Sequence, residues 1–270
     1  MDATYSIADL RYLMSRLRDP QTGCPWDIKQ TYQSITPHTI EEVYEVVDAI
    51  ERGYIEHLSE ELGDLLFQII FYSQLGEEDN QFDFDAVVSG ITAKLVRRHP
   101  HVFPDGTLQS ARDSQTVATE AEIKSNWETI KKQERSSAGA SGTLDDIPLA
   151  LPALSRAFKL QKRAATRGFD WPQISGVLDK VKEEIAELEQ EIANGDAGAM
   201  EDEMGDLLFS CVNLARHLAI NPEKSLARAS DKFKRRFQAM EAAVGIDRFA
   251  DLSLEEMEQQ WKSAKCLEST

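Results

Sequence analysis

Two pairs of carboxylates set the chemistry open to this chain. In residues 180–209, KVKEEIAELEQEIANGDAGAMEDEMGDLLF, Glu184 stands three positions before Glu187, and Glu203 three before Asp206. On a helix that spacing puts both members of a pair on one face, a turn apart. Gly195, within NGDAG, is where a helix would stop and the chain turn back. The simplest arrangement is a helical hairpin with four carboxylates facing one space. Like charges gathered in a half-buried place repel and lose hydration. A hard divalent cation relieves both penalties, and Mg²⁺, or Mn²⁺ in its place, prefers carboxylate oxygen. Apolar Ile185, Leu188, Met204, Leu207, Leu208 and Phe209 fill the rest of the two faces. Gly205 costs about 1 kcal/mol against alanine inside a helix, and a close approach of the two helices would account for it. Taken alone, one EExxE in an acidic protein is more often a solvated face than a site.

The pattern occurs twice. Residues 41–67 read EEVYEVVDAIERGYIEHLSEELGDLLF, and Glu42, Glu45, Glu61 and Asp64 match Glu184, Glu187, Glu203 and Asp206 at a constant offset of 142. The third carboxylate follows the second by sixteen positions in both copies, and ELGDLLF differs from EMGDLLF at one position. A solvated face has no reason to keep acids, glycine and spacing in register, so both copies read as metal sites. Their neighbours differ. Lys180 and Lys182 correspond to His38 and Ile40, and a histidine is largely neutral near pH 7. The second copy therefore has more positive charge to meet an anionic substrate, and the first is expected to be the weaker site.

A basic helix follows each acidic hairpin. KFKRR at 232–236 matches KLVRR at 94–98, and tryptophan segments follow, QWKSAKC at 260–266 and NWETIKK at 126–132. Lys232, Arg235 and Arg236 fall on one helical face, either as a phosphate-binding set or as a solvated basic stripe. Pro100 ends the first basic helix just past Arg98, whereas RRFQAME continues the second. Carboxylates, a metal and cations together suit attack of water on a phosphoanhydride. The metal polarises phosphoryl oxygens and acidifies water, while the cations offset charge on the leaving phosphates. Trp261 and Trp171 have the flat faces that stack on a nucleobase, though a tryptophan on a helix serves as readily in a core. Other routes to this chemistry lack their signatures: there is no GxxxxGK[ST], no GxGxxG, no Nudix pattern and no HExxH.

The whole chain narrows the setting. Its 270 residues carry a net charge of −17, which argues against a general nucleic-acid or anionic-membrane binder. No apolar run reaches membrane-spanning length, and MDATYSIADLRYL lacks a signal-peptide layout. Cys24, Cys211 and Cys266 are too scattered for a disulfide framework or a zinc site, so a cytoplasmic location is expected.

Periodicity and caps predict an all-α chain. In the first half, helices are expected over 7–18 behind Ser6, from Thr36-Pro37 to Gly53, over 56–75 with an apolar tail central to a bundle, over 84–98, and from the capping box at Thr119 to Glu134. DPQTGCPWDIKQTY reads as a loop, and SSAGASG at 136–142 as a linker. The second half is expected to hold helices over 152–166, 175–194, 197–219, 223–244 and 253–265. The domains are then 1–135 and 147–270, the second being the main catalytic one, joined by a flexible linker at 136–146.

The paired EExxE and ExxD motifs resemble those of the MazG family of nucleoside triphosphate pyrophosphohydrolases. GCPWD at 23–27, KLVRRHPHVF at 94–103 and DDIPLALPALSRAFKLQKRAATRGFDW at 145–171 are also similar to that family, so the likeness runs nearly the full length. The resemblance implies two tandem domains of the four-helix-bundle type, a homodimer, Mg²⁺ dependence and cleavage of NTPs or dNTPs to the monophosphate and pyrophosphate. It implies Glu184, Glu187, Glu203 and Asp206 as metal ligands, with Glu42, Glu45, Glu61 and Asp64 as the second set. The implied substrate-facing residues are Lys180, Lys182, Glu183 and Glu184, then Ala199, Met200, Glu201, Asp202 and Asp206, then Lys232, Phe233, Lys234, Arg235, Arg236 and Trp261. Glu183 is a candidate general base. The alternatives are a narrow pyrophosphatase for dUTP or phosphoribosyl-ATP, or an acidic helical interaction protein without catalysis.

Overall fold

A computed structural model of the chain describes residues 4–112, 118–137 and 142–267. The regular structure among the described residues is helical, with no strand among them, and the chain divides into two compact units, Met1–Lys132 and Gln133–Thr270. The first unit contains α1 (Ile7–Leu17), α2 (Thr36–Arg52), α3 (Ile55–Glu78), α4 (Phe84–Arg98) and α5 (Glu120–Ser137), which runs past the division. Ser6 caps α1 and exchanges hydrogen bonds with Asp9 in a capping box. Gly53, at φ 72°, ends α2 in the left-handed conformation that glycine adopts without strain, and α3 folds back along α2. Met14, Ile35, Ile70, Phe71 and Leu75 form the core, with Tyr32, Phe67 and Tyr72 packed around it. The apolar tail of α3 is thus central, since α1, α2 and α4 all pack on this helix.

The second unit contains α6 (Ala153–Ala165), α7 (Ile174–Asn194), α8 (Ala197–His217), α9 (Pro222–Val244), α10 (Ile246–Phe249) and α11 (Leu254–Leu267). Gly195, at φ 74°, repeats the left-handed cap of Gly53, and Asp196 caps α8 through the amides of Gly198 and Ala199. α7 and α8 form the hairpin, α6 lies on α8 and α9, and α11 lies on α9.

Two short elements escape the sequence reading: a 3-10 turn at Asp27–Lys29 inside the expected loop, and α10. Neither is long enough to show a hydrophobic period. The segment read as a linker from 136 begins within α5, whose last residues are Ser136 and Ser137; residues 138–141 lie outside the described residues. The reason offered for Gly205 is overturned. A Cβ built there, or at Gly63, meets no atom within 4 Å, so neither glycine is needed for a close approach inside its unit.

Candidate active site

The hairpin of α7 and α8 brings three of its four expected acids together, and that of α2 and α3 likewise gathers Glu42, Glu45 and Glu61 without Asp64. Glu184, Glu187 and Glu203 can place one carboxylate oxygen each within 4.8 Å of one another, an all-oxygen donor set suited to a hard cation. Glu184 is buried, with 4% of its surface exposed, while Glu187 is exposed and Glu203 half-buried. Burial, and then the charges of Glu187, Glu184 and Asp206, raise Glu203 above the ordinary carboxylate range. Asp206, a turn along α8 from Glu203, is outside the triplet yet close enough to act on it electrostatically. Lys180 pairs with Glu183 at 2.7 Å and Glu184 at 2.8 Å, and these bonds, that to Glu183 first, raise its pKa and keep it cationic.

The first unit repeats the triplet. Glu42, Glu45 and Glu61 also come within 4.8 Å. Glu42 is raised by burial and then by Asp64 and Glu45, and Glu61 by burial and then by Glu45 and Asp64. His38, in the place of Lys180, lies 3.8 Å from Glu41 and meets the Trp26 ring in a T-shaped contact at 5.9 Å between centroids.

The remaining expected residues form separate groups. Lys182 is exposed and pairs with Asp179 at 3.0 Å, so it does not join Lys180 beside the acids. Two positions from Glu184, it projects from a different side of α7. Ala199 and Met200 are half-buried in the first turn of α8, followed by exposed Glu201 and Asp202. Lys232, Phe233, Lys234 and Arg235 lie exposed on α9. Trp261 of α11 packs against Phe233 at 5.4 Å between ring centroids, and Arg236 sits 5.6 Å over its ring. In the first unit Arg98 lies 5.8 Å over Trp127, so the arginine-over-tryptophan contact occurs twice.

Beside the acids is a cavity of about 540 Å³. Lys180, Glu184 and Asp206 form part of its wall, and Gln161, Trp171, Phe209, Ser210, Asn213 and Arg216 much of the rest. Trp171 packs over Gly176, where any Cβ would collide with the indole. Asp170 is gripped by Arg216 and lies 2.9 Å from His217 Nε2; these contacts, that with Arg216 first, hold its carboxyl below the ordinary range. The sequence reading named neither Gln161, Asp170, Asn213 nor Arg216 as site residues. Ser210 and Asn213 did carry a signal, being polar residues within the otherwise apolar LLFSCVNLA.

A model of the MazG nucleotide pyrophosphohydrolase domain matches residues 30–103 and again 174–240, which are the two acidic hairpins with the basic helices that follow. The chain belongs to the MazG family. Among its relatives, the nucleoside triphosphate pyrophosphohydrolase of Escherichia coli K12 is 47% identical over 264 residues, covering 96% of this chain and 97% of that protein. The nucleoside triphosphate pyrophosphohydrolase/pyrophosphatase MazG of Thermotoga maritima is 39% identical over 266 residues, covering 98% and 97%. YabN of Bacillus subtilis is 43% identical over 265 residues, and the match spans 52% of that longer protein. The MazG assignment makes the chain an enzyme of the hydrolase class, with two tandem MazG units in an all-α fold.

Proposed function

We propose that the protein is a Mg²⁺-dependent nucleoside triphosphate pyrophosphohydrolase whose main active site is the Glu184–Glu187–Glu203 cluster of the second unit. The observation that carries this reading is the convergence of those carboxylates beside Lys180 and a cavity large enough for a nucleotide. The donor set fits a hard cation, held by Glu184, Glu187 and Glu203 with Asp206 at hand. When bound, such a cation polarises phosphoryl oxygens and acidifies water. Lys180, kept charged by Glu183 and Glu184, offsets part of the phosphate charge. Glu183 is half exposed and can meet a water, so we assign it the proton-accepting role. Lys232 to Arg236 and Trp261, exposed or packed at the edge of α9, are the set for the outer phosphates. Water adds to the α-phosphorus, the bond to the bridging oxygen of the β-phosphate breaks, and nucleoside monophosphate and pyrophosphate leave.

Assembly and setting belong to the same reading. Apolar side chains stay exposed on both hairpins, among them Tyr44, Leu62, Ile185, Met204 and Leu208, and they support a homodimer that covers them. No disulfide joins the three cysteines, which supports a reducing cytoplasm. We propose the domains as 1–135 and 147–270, the second being the main catalytic one, joined through 136–146.

The test is to incubate the protein with a panel of NTPs and dNTPs plus Mg²⁺ and identify the products. Monophosphate and pyrophosphate in one step, lost in EDTA and much reduced in Glu183→Gln, support the reading. Full activity in EDTA, or nucleoside diphosphate and orthophosphate as products, would overturn it.

A further inference from the structure

Two amide side chains in the cavity have their orientation set by their partners. Gln161 is buried, with 8% of its surface exposed, and its Nε2 donates to the Phe209 carbonyl at 2.8 Å. A carbonyl oxygen only accepts, so the amide cannot be turned over, and Oε1 is left buried without a hydrogen-bond partner. Asn213, 6% exposed, accepts at Oδ1 from Arg216 Nε at 2.9 Å. Arg216 is itself anchored by both carboxylate oxygens of Asp170. That chain leaves Asn213 with its Nδ2 donor for the cavity it lines. A buried amide oxygen with no partner is rare because it forfeits its hydration, so it points to a ligand that supplies the missing donor.

We propose that Gln161 and Asn213 read the hydrogen-bonding edge of the nucleobase, with Trp171 set against its face, an inference that rests on the nucleotide reading above. Phosphate oxygens accept and cannot pair with Gln161 Oε1. The edge of a base offers a donor next to an acceptor, which an amide oxygen and an amide nitrogen complement. The first unit supports the assignment by contrast. At the offset of 142, Asn213 becomes Phe71 and His217 becomes Leu75, both buried in the core, so side chains occupy the interior there. Base reading then belongs to the second unit alone.

The test is calorimetric titration of the full chain in Mg²⁺ with AMP, GMP, CMP and UMP, and with ribose 5-phosphate as the base-free probe. A ribose hydroxyl can also donate, and this probe separates it from the base. In the unaltered protein at least one monophosphate should bind about tenfold tighter than ribose 5-phosphate. Gln161→Met, which removes the acceptor at similar length, should close that gap about tenfold. Asn213→Asp, which keeps an oxygen for Arg216 and removes the donor, should also narrow it, and carries the test if Gln161→Met fails to fold. No monophosphate binding tighter than ribose 5-phosphate, or a gap unchanged in the folded variants, overturns the proposal. Base-selective binding without turnover of any NTP would instead sink the enzymatic reading and leave this one standing.

Discussion

The two units share a carboxylate constellation and differ in what lies behind it. Both bring three carboxylates within 4.8 Å, both turn their hairpin on a left-handed glycine, and both stack an arginine over the tryptophan that follows. The core of the first unit is built from Met14, Ile35, Ile70, Phe71 and Leu75, with Arg18 5.2 Å from the Phe71 ring, and a cavity of about 780 Å³ lies elsewhere, along α4. The second has Gln161, Asn213, Arg216 and a cavity of about 540 Å³. A carboxylate cluster needs only i, i+3 spacing and a turn, so it survives in both copies. A pocket needs polar residues where a core would take apolar ones, and the first unit has buried Phe71 where the second has Asn213.

The comparison is broken most directly by removing acids from one unit at a time. Glu184→Ala with Glu187→Ala should lower kcat/KM about a thousandfold or more, because the pair would act as one unit in the proposed metal site. Glu42→Ala with Glu45→Ala should leave most activity. Steady-state rates on one NTP decide it: the reverse order moves the main site to the first unit, and equal losses make two comparable sites.

A smaller effect comes from the cation beside the acids. Lys180→Met should reduce kcat/KM roughly ten- to a hundredfold, mostly through KM, as expected for one charged hydrogen bond to phosphate. His38→Met should change it less than about twofold, since His38 belongs to the unit proposed to contribute less of the activity. Similar losses in the two variants would mean that the difference in charge is not what separates the sites.

The smallest effect is on stability and is shared by the units. Glu203, Glu42 and Glu61 have folded-state pKa values above the ordinary 4.5, so the folded chain binds more protons at these groups than the unfolded one does. Their contribution favours folding at low pH and is lost as pH rises from 4.5 through the raised values. A cation bound by the ionised cluster offsets that loss. The gain in Tm on adding Mg²⁺ should therefore grow as pH rises above 4.5, and shrink in Glu203→Gln and in Glu61→Gln. A gain that is independent of pH, or unaltered by either variant, would place the cation elsewhere.

By itself, the sequence determined the longer helices, the two hairpins and the carboxylate pairs, though not the short turn at Asp27–Lys29 or α10. Caps such as Ser6 with Asp9, the turns at Gly53 and Gly195, and i, i+3 spacing are local, and local geometry can be read along the chain. The 142-residue offset raised one acidic pattern to two matched sites without any contact being known. Tertiary structure decided the rest. It turned Lys180 toward Glu184 and Lys182 toward Asp179, and left Gly205 facing open space rather than a neighbouring helix. It joined Gln161 of α6, Asp170 of the following loop and Asn213 and Arg216 of α8 around one cavity. The two on the α6 side are distant in sequence from the two on α8, with 46 positions from Asp170 to Arg216, and each is an ordinary polar side chain alone. Only the packing of α6 on α8 brings them together, because burial and the choice of hydrogen-bond partner are properties of three-dimensional neighbours rather than of spacing.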